Sequence, residues 1–238
     1  MEPEYRIITR EIVAKGKGYL VIRRCGAGEV LELVRRGARA LLEAGAAVIY
    51  VASLDPAAPL AEGEGDGFRL VHRHDIARME RALDPGRPRP SGRLTLEPLS
   101  REKGGQWLAL HNECFFDMDN SATYDRTDLD RAMEADHRGG FALLEGVPVG
   151  VYELNCETGC PEIEGIALVK DVRGRGLGRE LLLACMEELA GAGYGACCLL
   201  VSTTNEAAWN LYRRTGFTQT GIRSRWYQVV ALGDLRGE

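Results

Sequence analysis

No apolar run in this chain of 238 residues is long enough to cross a bilayer, which sets aside a helical membrane span. An excess of basic charge is also missing. Thirty Lys and Arg face thirty-five Asp and Glu, a formal charge of −5, so no sequence-wide attraction draws the chain to nucleic acid or to a membrane surface. Cysteine occurs seven times, an odd number at uneven spacings, and Glu2 and Glu4 stand where an export signal would be basic and then apolar. A disulfide framework is therefore not expected, and a reduced, cytoplasmic setting is. Metal-ligand spacing is absent as well: Cys156-x-x-x-Cys160 offers two ligands, but neither Cys197-Cys198 nor the histidines complete a set of about four. What is present, 45% hydrophobic and 27% charged residues, describes a globular protein able to bury one large core or two smaller ones. A small-molecule or protein partner is the class that remains.

The chain divides in the mid-eighties. Residues 84–92 read Asp84-Pro85-Gly86-Arg87-Pro88-Arg89-Pro90-Ser91-Gly92, where proline and glycine deny both a helix and a central strand, and this is read as a linker between an N-terminal α/β region at 1–83 and a domain at 93–238. In the second part the patterning predicts a strand at 94–97 and helices at 101–115 and 127–136, the latter with Thr127 as N-cap and Asp130 three residues on. A hairpin follows, 141–144 and 149–154, turning through Glu145-Gly146. Then come a strand at 163–169, a helix at 178–190, a strand at 196–202, a helix at 206–215, and two short strands around Phe217 and 226–230. The order is βααββ, βαβα, ββ. Val71-His72-Arg73-His74 alternates like a strand and would leave both histidines on one, solvated face.

Two motifs carry chemistry. Val169-Lys-Asp-Val-Arg173-Gly174-Arg175-Gly176-Leu177-Gly178 joins a strand to a helix through glycines, so unpaired backbone N–H groups at the helix start can face an anion, and Gly176 has no Cβ to obstruct approach. A dinucleotide fingerprint would need a third glycine where Leu181 stands, which weighs against a Rossmann domain. The second motif is Asn205-Glu-Ala-Ala-Trp209-Asn-Leu211-Tyr212-Arg-Arg-Thr-Gly216-Phe217. Together they resemble the GNAT acetyltransferase superfamily, over about residues 93 to 230 and in that family's element order.

The resemblance implies an α/β (α+β) GNAT fold: a mixed central sheet with splayed strands and flanking helices, here with a smaller N-terminal α/β region added. It implies acetyl-CoA as cosubstrate and no metal. The backbone of Ile166, Ala167 and Leu168 would meet the pantetheine arm and the acetyl carbonyl, Arg173 to Gly178 would cradle the pyrophosphate, and Asn205 would contact the cofactor near the start of its helix. Pantetheine amides can extend an exposed strand edge, and an N–H fixed beside the thioester can stabilise an oxyanion. By the same resemblance Tyr212 is the acid that protonates the leaving thiolate, and Glu162 matches the glutamate base of some members. Glu162 and Glu164 lie on one strand, where period two would put both on the face of Ile166 and Leu168.

Other aromatic residues divide by role. Trp209, Leu211 and Phe217 are expected in the core, whereas Trp107, Phe115, Phe116 and Tyr124 fall where the first two helices of this fold roof the acceptor. The function implied is an N-acyltransferase moving an acetyl group directly from acetyl-CoA to an amine of a small molecule or a protein, in an assembly that allows a homodimer. The alternative is a binding module, an acyl-CoA-binding pseudoenzyme that signals through its N-terminal region.

The first ninety residues echo the second half of the domain. Ser53 to Phe68 runs in step with Ser202 to Phe217, Leu31 to Ala44 and Ala47 to Ala52 repeat the helix and strand before it, and Arg23-Arg-Cys-Gly26-Ala-Gly28 resembles the glycine turn. The tyrosine position is Gly63, however, and Pro56 and Pro59 would spoil the helix that should carry it. A degenerate half-domain is expected there.

Overall fold

The computed structural model describes residues 2–26, 28–55, 60, 63–65, 67–118 and 121–231. Along the chain these form β1 (Glu4–Ile8), α1 (Glu11–Lys15), β2 (Lys17–Arg24), α2 (Val30–Glu43), β3 (Val48–Ser53), β4 (Gly63–Gly65), β5 (Phe68–Ala82), β6 (Leu94–Pro98), α3 (Gly104–Phe115), α4 (Arg126–Ala132), β7 (His137–Leu144), β8 (Val147–Asn155), β9 (Glu162–Leu168), α5 (Leu177–Gly191), β10 (Ala196–Ser202), α6 (Glu206–Arg214) and β11 (Thr218–Ala231). Two compact units result: Met1–Ala77 with Ser202–Asn205 and Gly221–Glu238, and Arg78–Val201 with Glu206–Thr220. Among the described residues no helix is long and apolar enough to cross a membrane.

In the first unit β2 and β3 run parallel, joined by α2, while β1 pairs antiparallel with β2 and β11 antiparallel with β3. The α2 sequence buries Leu33, Val34, Gly37, Ala38 and Leu41, a stripe at helical spacing against Leu20, Ile22, Ile49 and Val51. The histidines of β5 do not share a solvated face. His74 is buried and stacks on Trp226 at 5.8 Å, whereas His72 lies edge-on to Tyr227 and contacts Asp75 Oδ1 at 2.8 Å. Trp226 and Tyr227 are consecutive on a strand and point to opposite faces, so period two fails between the two histidines. Gly63 is strand, not helix, and Pro56 and Pro59 lie outside the described residues.

In the second unit the strands lie in the order β10-β9-β8-β7-β6, with β9 and β10 parallel and the remaining pairs antiparallel. The β7–β8 hairpin turns through Glu145 and Gly146, both at positive φ (53° and 82°), the backbone that matches the twist of a two-residue hairpin. Helix α4 starts two residues earlier than the sequence suggests. Its cap is Asp125, whose side chain accepts from the N–H of Thr127 at 2.7 Å and of Asp128 at 3.4 Å, while Asp128 accepts from the Asp125 N–H at 3.0 Å. A carboxylate in that place also meets the positive end of the helix, which the Thr127 hydroxyl does not. The two short C-terminal strands are one, β11, because Gly221 keeps an extended backbone and does not break it.

Trp107 is fully buried in a core with Cys114, Leu129, Phe141, Val151 and Ala167, and its indole N–H donates to the Gly140 carbonyl at 3.0 Å. This core fixes α3 against one face of β7, β8 and β9. On β8, a Cβ at Gly150 would lie 2.3 Å from the Ala167 carbonyl oxygen, so backbone approach between β8 and β9 requires glycine there. Gly150→Ala is expected to cost about 1–3 kcal/mol of stability through overpacking. Gly191→Ala, where an added Cβ meets nothing within 4 Å, serves as the neutral control. Urea midpoints check both, and an unchanged midpoint in Gly150→Ala would show that the strands part without loss.

Candidate active site

Strands β9 and β10 are held together by two residue pairs, Cys198 with Glu162 and Leu199 with Ile163. Beyond them β9 stays paired to β8 as far as Leu168 but has no register with β10. One backbone edge of Ile166, Ala167 and Leu168 is thereby released from the parallel ladder, which is where an extended ligand with amides could add. A turn follows, with a short 3-10 segment at Lys170–Val172 and Gly174 and Gly176 at φ 76° and 79°, before α5 begins at Leu177. Those positive angles favour glycine. Added Cβ atoms at both would meet open space, so an anion can reach the turn. The backbone N–H groups of Gly174 to Gly178 have no carbonyl partner among the described residues outside α5, and they sit at the positive end of a helix of 15 residues.

Side chains of the turn do other work. Arg173 donates to the Leu168 carbonyl at 2.7 Å and to the Cys114 carbonyl at 3.0 Å, stapling the turn to the end of β9 and to α3. Its guanidinium is thus occupied, which leaves the backbone N–H groups and the exposed Arg175 side chain as the donors of the turn. The Arg175 carbonyl accepts from Arg93 at 3.2 Å, and the Leu177 side chain is buried. These residues fit an elongated anionic thioester: a free strand edge, then a nest of N–H groups.

The carboxylates do not follow period two. The β8–β9 register pairs Glu153 with Gly165 but Leu154 with Ile163, so Glu164 is an extra residue, a bulge. It shifts the faces. Glu162 pairs with Asn155, and the Asn155 amide donates to Glu164 Oε1 at 3.1 Å, which places both glutamates on the side of α3 and α4, while Ile166 and Leu168 point to the opposite face. Glu164 also approaches Arg131 of α4 at 3.7 Å and His137 of β7 at 3.9 Å. The sequence pattern missed Glu153, which is buried with Oε2 at 3.4 Å from His111 Nε2. An acid within the apolar run Val149 to Leu154 was the available signal.

Tyr212 is half-buried on α6, its ring 6.0 Å from Phe217, and its hydroxyl makes no hydrogen bond among the described residues. Burial, and secondarily the neighbouring Cys185, push its phenol up to about 12. Leu211 on the same helix comes within 3.9 Å of where a Gly178 Cβ would be, which sets α6 beside the first turn of α5. Asn205 belongs to the first unit, where its N–H donates to the Ser202 carbonyl at 3.0 Å. Of the aromatic residues, Trp107 and Phe217 are core, Trp209 and Leu211 are half-buried, and Phe116 is exposed on a cleft of about 600 Å³ with Asn112, Glu113, Asp117, Lys170 and Asp171. Phe115 and Tyr124 both stack on His111, at 4.5 and 3.8 Å.

A sequence profile of the acetyltransferase (GNAT) family matches residues 105–217, the stretch that contains α3, the splayed strands, the glycine turn and α6. The chain is similar to mycothiol acetyltransferases of Clavibacter michiganensis subsp. michiganensis (30% identical over 208 residues, 79% of this chain and 66% of that protein) and of Clavibacter sepedonicus (30% over 231 residues, 86% and 74%). It thus spans roughly two thirds to three quarters of the length of these two relatives. Among solved structures, a GCN5-related N-acetyltransferase from Sphaerobacter thermophilus superposes with a TM-score of 0.65, covering 96% of this chain and 76% of that one at 19% identity, a likeness of fold. The profile match, the 30% identity across nearly three quarters of a relative and the shared architecture agree: this chain belongs to the GNAT acetyltransferase family.

Proposed function

We propose that the protein transfers an acetyl group from acetyl-CoA directly to an amine. The observation that carries the reading is the conjunction of β9 parting from β10 after two pairs with an N–H-rich glycine turn at the end of the freed strand. The family uses acetyl-CoA as cosubstrate, and when bound it supplies the activated acyl thioester. The released edge at Ile166, Ala167 and Leu168 holds the pantetheine arm, and an N–H from it supports the carbonyl oxygen. The backbone of Arg173 to Gly178 receives the pyrophosphate, and Asn205 assists at the start of α6.

Glu162 takes a proton from the acceptor amine, directly or through water, with Glu164 beside it on the same face. As the N–C bond forms and the C–S bond breaks, Tyr212 gives its proton to the departing sulfur. A cysteine relay is disfavoured, since burial raises Cys114 to about 11 and Cys197 and Cys198 to about 12 and keeps them thiols at neutral pH. The mycothiol acetyltransferases it resembles make a small-molecule acceptor the first to test. Residues 1–83 are read as a degenerate half-copy of the catalytic domain, beyond the linker at 84–92.

The first unit supports a single cofactor. Its β2–α2–β3 unit pairs parallel strands at six positions, Lys17–Ile22 with Val48–Ser53, and so frees no edge. Before α2 the N-cap position is Glu29, whose carboxylate makes no cap hydrogen bond and lies 2.8 Å from a would-be Gly26 Cβ, an acid near the start of the helix.

Three outcomes are expected. Calorimetric titration gives one CoA per chain, and a second equivalent removed by Gly26→Asp would show that the first unit binds too. Gly176→Asp weakens CoA binding at least about tenfold by charge repulsion at the turn, and Gly176→Asn, which tolerates the same backbone, weakens it less; equal affinities for all three forms would move the site elsewhere. Tyr212→Phe keeps CoA affinity and lowers kcat on the order of 10²-fold. Because its pKa is raised, the wild-type acid stays protonated as pH climbs, so no loss of kcat assignable to Tyr212 should begin below about pH 11. A wild-type rate in Tyr212→Phe, with chemistry rate-limiting, would make the tyrosine structural.

A further inference from the structure

Among the described residues seven buried side-chain polar atoms have no hydrogen-bond partner, and five lie together: His111 Nδ1, His137 Nδ1 and Nε2, Glu153 Oε1 and Glu164 Oε2. They sit on the face of β7, β8 and β9 that α3 and α4 cover. Glu153 is opposite Gly165, whose added Cβ would be 3.5 Å from Glu153 Oε2 and 3.3 Å from the Phe115 ring. Buried polar groups are almost always paired, so five together call for a common partner.

The set has a chemical sense. If His111 donates from Nε2 to Glu153 Oε2, at 3.4 Å, its Nδ1 is a bare lone pair. Glu153 Oε1, Glu164 Oε2 and both ring nitrogens of His137 are the other unpartnered atoms of the set. Two carboxylates face one guanidinium, Arg131, which is 3.7 Å from Glu164 and donates at 3.4 Å to the Tyr124 hydroxyl, which in turn hydrogen-bonds Glu153. Two carboxylates thus share one permanent cation, beside the rings of Tyr124 and Phe115 that stack on His111. Water can satisfy acceptors but does not neutralise a buried carboxylate, whereas an alkylammonium does both and is attracted by aromatic faces. Asn112, which lines the cleft of about 600 Å³, accepts from the Tyr124 N–H at 2.7 Å and donates to the Tyr124 carbonyl at 3.0 Å, fixing the ring over His111. In that cleft Lys170 is paired with Asp117, leaving Glu113 and Asp171 as surplus acids.

We propose that Glu153 and Glu164, backed by His111 and His137, bind a second, non-reacting ammonium of the acceptor, so that the preferred acceptor is a diamine. This rests on the acetyl-transfer reading and narrows it. Glu164 stands on β9 itself and Glu153 on the neighbouring β8, at the ordinary strand spacing of about 5 Å.

The test compares 1,4-diaminobutane with 4-aminobutan-1-ol, equal in length and differing in the second charge. Calorimetry on the full chain saturated with CoA should show the diamine binding at least tenfold more tightly. Glu153→Gln should abolish that advantage, and Glu164→Gln, at a less buried position, should reduce it severalfold even if the first variant fails to fold. Equal affinity for the two ligands, or an advantage that Glu164→Gln leaves undiminished, would overturn the proposal and leave the cluster to water. Thiol release from acetyl-CoA is read in parallel. Diamine binding without thiol release would sink acetyl transfer and keep the cation site, while release without diamine preference would sink the cation site alone.

Discussion

The parting of β9 from β10 is the constraint from which the site follows. Parallel strands joined by a crossover helix ordinarily stay paired along their shared length, since every unpaired N–H or carbonyl taken from water is costly. Here pairing stops after Leu199 and Ile163. The freed segment of β9 is still held, because β8 continues to bond its other edge to Leu168 and the close approach at Gly150 presses the two backbones together. Arg173 then ties the Leu168 carbonyl and the end of α3 to the turn, so the strand edge and the glycine N–H groups keep one geometry.

The bulge at Glu164 lies at the point of parting. An extra residue there rotates the rest of β9, turning Gly165 and Ala167 toward α3 and Ile166 and Leu168 away, while Glu162 and Glu164 stay on the α3 and α4 side. Without it the two glutamates would share the face of Ile166 and Leu168. The polar face under α3 depends on the same irregularity, since Glu153 can stand beside Gly165 only in this register. Its burial against His111 borders the largely apolar core around Trp107, whose ring lies 5.3 Å from that of His111. Helix α3 thus divides its length between core and a polar chamber.

Most elements of the second unit were legible because local rules decided them. The Glu145-Gly146 hairpin, the glycines of the turn and the apolar strand Ala196–Ser202 follow from backbone freedom and periodicity. The failures share a physical cause. Periodicity assumes a regular ladder, and it gave wrong faces at Glu162 and Glu164 and at His72 and His74, both places where the strand departs from period two. Arg173 was legible as part of the motif but not as a staple, because its partners are carbonyls brought near only by folding. Glu153 and His111 were invisible in the same way, since their meaning comes from being buried side by side.

The first unit shows what the motif needs beyond its residues. It has the same β–α–β order, a glycine turn of similar sequence and an amphipathic helix, yet its strands stay paired at six positions and its helix start carries its own carboxylate. A helix N-terminus attracts an anion only when nothing covalently attached already fills that place, and a strand edge accepts a ligand only when its neighbour has turned away. The β2–β3 ladder fails the second condition. Resemblance between the two turns is therefore one of sequence, since Gly174 and Gly176 take positive φ and Gly26 does not, and the strand edge is freed only where the two residue pairs of β9 and β10 stop.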